Sequence, residues 1–121
     1  ESVLLASWGM SCMFPVFSPG SSGRHWRLGV LPDGTRVVPE GWMAASTTPS
    51  KGYEGYGYKW WLYGDGRYGA RGVFGQAIFV DTAANLVVAA HSNGQTASGS
   101  NHNRELDAAL EAISDFFRAS Q

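Results

Sequence analysis

Two lysines, Lys51 and Lys59, one cysteine, Cys12, and three histidines set the limits of nucleophilic and metal chemistry in this sequence. A serine becomes a nucleophile only with a base in hydrogen-bond reach. A Ser-x-x-Lys pair would supply that base, because one helical turn brings the amine beside the hydroxyl. The residues three before the lysines are Thr48 and Tyr56, so the pair does not occur. Neither does a Gly-x-Ser-x-Gly elbow, nor Tyr-x-Asn or Ser-x-Asn. His25, His91 and His102 show no i, i+4 pairing and Cys12 has no second thiol, so no metal site is expected. Gly64, Gly66 and Gly69 have the spacing of a dinucleotide cradle, which must open a helix. A strand-like run follows them instead, and they read as a turn. Glu105, Asp107, Glu111 and Asp115 read as the solvated face of a helix, and Asp65 and Asp81 as turn residues. No cofactor is expected.

Such residues can act only if the chain holds them in place. A chain of 121 residues, 44% hydrophobic and 13% aromatic, suits one small globular body. A net charge of -1 gives no field for nucleic acid. A lone cysteine excludes an intrachain disulfide and leaves the compartment open. No apolar run reaches the ~18 residues of a membrane span. Ser2 to Phe14 has the hydrophobicity of a signal-peptide core but no cationic start, the first basic residue being Arg24, and no targeting segment is expected.

Residues 1–30 are poorly patterned. Asp33-Gly34 marks a tight turn between short β-prone pieces, and Pro39 and Glu40 suit the first turn of a short helix over about 39–47. Strands are expected over Tyr56–Tyr63, Phe74–Asp81 and Asn85–Ser92, the last two joined as an antiparallel hairpin. Ile78 and Val80 point one way while Ala77 and Phe79 point the other, and "LVVAA" is apolar on both faces. Strands of that kind need a layer on each side. Leu106, Ala109, Leu110, Ile113, Phe116 and Phe117 form one stripe of an amphipathic C-terminal helix, with Asn103 expected at its N-cap. That helix can cover one face. Nothing obvious covers the other, so self-association or a missing N-terminal part is expected there.

"VVPEGWMAASTTPS", "YGYKWWL", "ARGVFGQAIFVDTAANLVVAAHSN" and the closing helix together resemble the C-terminal portion of the serine β-lactamase and penicillin-binding-protein-like hydrolases. Within that family the resemblance is nearest to the class C-like branch with its esterases and 6-aminohexanoate-dimer hydrolases. It runs from about Leu31 to Phe117 and assigns 31–121 to the end of such a domain. The implied fold is α+β: an antiparallel sheet of about three strands with the amphipathic helix on one face, a partial β-lactamase-like domain.

The family's active-site strand carries Lys-Thr-Gly, and Ala70-Arg71-Gly72 take that place here. The resemblance implies that the Val73 backbone N–H belongs to an oxyanion hole, with Gly72 allowing close approach of the acyl carbon. Arg71, Gln76, Asn93 and Trp60 become candidate substrate contacts, each with an ordinary structural role as the alternative. Ala70 lacks the lysine charge and Arg71 replaces the hydroxyl, which turns the expectation from a β-lactam carboxylate toward a small-molecule amide or ester. The family's nucleophile and base motifs lie earlier in its chains and are absent here, so this polypeptide alone is expected to be incomplete and inactive. The alternative is a non-catalytic carbohydrate- or peptidoglycan-binding module using Tyr56, Tyr58, Trp60, Trp61, Tyr63 and Tyr68 as an aromatic sheet face.

Overall fold

The computed structural model describes residues 3–8, 12–17, 28–98 and 100–120. Strands β1 (Val3–Trp8), β2 (Cys12–Phe17), β3 (Trp61–Gly64), β4 (Arg67–Arg71), β5 (Ala77–Asp81) and β6 (Leu86–Ala90) are joined by a short helix α1 (Trp42–Ser46) and a long helix α2 (Ser100–Ala119). The strands form one antiparallel sheet in the order β1-β2-β6-β5-β4-β3. The class is α+β, as the sequence pattern implies, but with six strands in place of about three.

Two of the added strands come from the N-terminal segment, where β2 joins the sheet through Val16↔Val88 and Phe17↔Val87. Another, β4, lies in the stretch read as a glycine turn and the start of the next strand. Asp65 and Gly66, with φ of 51° and 75°, turn the chain after β3, and Arg67–Arg71 then pairs with β5. The strand expected from Phe74 begins only at Ala77, because Gly72–Gln76 is the loop that reverses β4 into β5.

The face alternation expected for β5 is present. Ala77 and Phe79 pack with Leu86, Val88, Ala90, Leu106 and Leu110 under α2, joined by Ile113 and Phe117. Phe116, placed in the same stripe by its spacing, stays 65% exposed and stacks edge-on against Phe117. On the opposite face Tyr68, Val80 and Val87 are covered by Met43, Trp60, Leu62 and Ile78. The expectation that nothing in the chain covers that face is therefore corrected at β4–β6: the α1 segment and the loop before β3 supply the second layer.

Helix α2 begins at Ser100 rather than after Asn103, which lies inside it. It is anchored at its far end by an ion pair. Asp81, fully buried, accepts from Ser114 Oγ at 2.5 Å and from Arg118 Nε at 2.6 Å, and its Oδ1 accepts from the N–H groups of Ala83 and Ala84. One carboxylate thus joins the β5–β6 turn to the last turn of the helix. No helix among the described residues is long and apolar enough to cross a membrane.

Candidate functional site

The loop Gly72–Gln76 gathers most of the sequence-derived candidates at one end of β4, β5 and β6. It is pinned from several sides. Gly72 N–H donates to Gln76 O at 2.8 Å, and Val73 O accepts from Ser98 N–H at 2.5 Å. Phe74 N–H donates to Gln76 Oε1 at 3.2 Å, while Gln76 Nε2 donates to Ser92 O at 3.1 Å. Phe74 O accepts from Gly94 N–H at 2.9 Å and lies 3.1 Å from Ser92 Oγ. Against that background the Val73 N–H donates to no group among the described residues, and Val73 is 58% exposed.

Gly72 is required sterically. A Cβ there would stand 2.5 Å from Gln76 Oε1 and 2.9 Å from Gln76 Cβ, so the glycine lets the Gln76 side chain fold across the loop. Asn93 is exposed in the segment leaving β6, one residue before the Gly94 amide that grips Phe74. Gly72, Val73, Gln76 and Asn93 therefore share one neighbourhood.

Arg71 and Trp60 go elsewhere. The Arg71 side chain lies on the α2 face, where Nε donates to the Tyr63 hydroxyl at 3.2 Å and Nη2 pairs with Asp107. Its Nη1 is buried with no partner among the described residues, in a cavity of about 150 Å³ also lined by Tyr63, Phe79 and Leu110. Trp60 stacks edge-on against Tyr68 at 5.2 Å within the second-face core, so its ring serves packing. A larger cavity, about 340 Å³ and lined by Thr47, Glu54, Leu62, Arg67, Tyr68 and Thr82 among others, contains none of the candidate hydrolase residues and, of the aromatic set, Tyr68 alone.

The sequence reading left out one pairing. Ser92 Oγ lies 2.8 Å from His102 Nε2 and 2.7 Å from Gly75 O. Ser92 is 7% exposed. A serine beside a histidine raises the question of a catalytic pair. Carbonyl oxygens only accept, so the single hydroxyl proton goes to the loop carbonyls, and a Ser92 lone pair is left to accept a hydrogen bond from His102 Nε2–H. On that assignment of the protons His102 is the donor, and the Ser92 hydroxyl is shielded. No sequence signal pairs two residues ten apart across the loop that leads into a helix. Among the described residues no group of three or more His, Cys, Asp or Glu could hold a metal ion.

The family model for beta-lactamase matches residues 17–112, from the end of β2 to the middle of α2. No curated protein matches the chain.

Proposed function

The chain belongs to the β-lactamase family, and from that premise we propose that it forms the oxyanion-hole wall of a serine hydrolase acting on small amides or esters through an acyl-enzyme. The observation that carries this reading is that the N–H of Val73, a residue 58% exposed, has no partner among the described residues, in a loop whose neighbouring polar groups are hydrogen-bonded. A backbone donor fixed before the reaction costs no reorganisation when a carbonyl oxygen gains charge, and one such donor is worth about 10² to 10³ in rate. Gly72 makes room for the Gln76 side chain, whose amide is spent on the Phe74 N–H and Ser92 O, and exposed Asn93 stands beside the loop as the substrate contact. The Arg71 guanidinium is tied to Asp107 on the α2 face and is left out of the site.

The nucleophile and its base come from outside these 121 residues, since no Ser-x-x-Lys, Tyr-x-Asn or Ser-x-Asn occurs among them. With no lysine at position 70 to meet a β-lactam carboxylate, the reading favours the esterase and amidase side of the family, the class C-like branch with its 6-aminohexanoate-dimer hydrolases. The test is a chimera in which residues 31–120 replace the matching C-terminal part of an active esterase of the family, assayed on a p-nitrophenyl ester. Val73→Ala, which keeps the N–H, should retain activity, whereas Val73→Pro, which deletes it, should lower kcat about 10² to 10³-fold. Equal activity of the two variants sinks the reading.

A further inference from the structure

We propose that Ser92 and His102 are positioning residues that clamp the Gly72–Gln76 loop and thereby aim the Val73 N–H. The inference rests on the reading of that N–H as an oxyanion donor. The two side chains reach the loop from different elements: Ser92 follows β6 by two residues, and His102 lies in the first turn of α2. Hydrogen-bond direction gives the chain of command. His102 Nε2–H donates to Ser92 Oγ at 2.8 Å, and Ser92 Oγ donates to Gly75 O at 2.7 Å, with Phe74 O at 3.1 Å as a second acceptor. Helix, hydroxyl and loop backbone thus form one polar series with buried Ser92 at its centre, where such bonds hold geometry most firmly.

Steric fit points to the same pair. Gly75 has φ 88°, and a Cβ built there would overlap both His102 Nε2 and Ser92 Oγ. The loop therefore bends so that its backbone lies directly against the two side chains. Ser98 N–H to Val73 O and Gly94 N–H to Phe74 O then hold the two carbonyls that follow the Gly72–Val73 peptide. Ser92, Gly94 and Ser98 come from the segment between β6 and α2 and His102 from the first turn of α2, so this stretch of chain sets where the Val73 N–H points. The clamp also accounts for a histidine in the first turn of a helix whose apolar stripe begins only at Leu106.

The experiment uses the full chain labelled with ¹⁵N and follows amide hydrogen exchange and chemical shift. Ser92→Ala and His102→Leu should speed exchange at Phe74 and Gly75 about tenfold and shift the Val73 resonance. Val80 and Val88, in the sheet core, should change little. A role in general stability would accelerate Val80 and Val88 as well, which overturns the proposal. Ser92→Thr and His102→Gln keep the hydroxyl and a donor, and should return Val73 toward its original shift. In the unaltered protein a long-range imidazole spectrum should show His102 protonated at Nε2. An unprotonated Nε2, or labelling of Ser92 by a fluorophosphonate, would mean that histidine serves as base, and either overturns the clamp. These readouts involve no turnover. Loss of the hydrolase reading in the chimera assay would leave the clamp standing, and the reverse also holds.

Discussion

Ser92 illustrates how a hydroxyl's role is decided by its single proton. With two carbonyls and one imidazole around Oγ, the proton goes to a carbonyl and the imidazole must give rather than take. Gly75 is the complementary residue, holding open the volume into which the pair fits. Gly75→Ala combines a left-handed backbone with overlap against Ser92 and His102. It should cost roughly 1–3 kcal/mol in urea unfolding, the usual range for a residue forced into a strained backbone region, and should perturb the Val73 amide. A variant as stable as the parent with an unmoved Val73 resonance would contradict this account of the loop.

At the level of elements, Asp81 decides how the β5–β6 hairpin and α2 hold together. Burial pushes its carboxyl pKa up, but hydrogen bonds from Arg118 and Ser114, the Ala84 N–H and the Arg118 charge outweigh that and hold it below the ordinary 3.8. A carboxylate whose folded-state pKa is depressed contributes stability that is whole above its unfolded pKa and is lost as pH falls through the folded value. Asp81→Asn should lower unfolding free energy at pH 7 by roughly 2–3 kcal/mol, as expected when a buried charged hydrogen-bond acceptor is removed. Urea titrations at decreasing pH should show the gap between parent and variant shrinking once pH drops below 3.8. A gap unchanged to the acid end of the titration would place the stabilisation elsewhere. The apolar side of the same helix makes a second test: Leu110, 1% exposed, packs against the β5 and β6 side chains. Leu110→Ala should cost about 2–5 kcal/mol through lost burial and an unfilled cavity. By contrast, the Arg71–Asp107 pair has half-exposed Asp107 as its partner and should contribute little.

For the molecule as a whole, the chain presents a six-stranded sheet with layers on both faces at β4–β6 and the Gly72–Gln76 loop at one end. On the proposed reading, an oxyanion donor without its serine nucleophile stabilises a charge that never forms. The polypeptide by itself should therefore leave nitrocefin and p-nitrophenyl esters intact, measured against a heat-denatured control, and turnover above that control would show that one of its own serines reacts. Ser92 is not the expected culprit, since its proton is committed and its oxygen shielded.

The local repeats were legible in the residues themselves. The spacing of Leu106, Leu110, Ile113 and Phe117 specifies one face of a helix, the alternation of Ala77 and Phe79 with Ile78 and Val80 specifies two faces of a strand, and Asp33-Gly34 specifies a turn in which Gly34 has φ 87°. The motif resemblance named Gly72, Val73, Gln76 and Asn93, which lie around one loop, and also Arg71 and Trp60, whose side chains go to an ion pair and to packing. Hydrophobic period and turn chemistry depend on neighbours within a few positions, so a linear chain already contains them. What depended on the folded sheet was partnership across distance: Asp107 claiming the Arg71 guanidinium from 36 positions away, Arg118 reaching Asp81 across 37, and His102 meeting Ser92 over the bend of a glycine. Those pairs follow from strand register and from where a helix lands on the sheet, and neither quantity is written in any short window of residues.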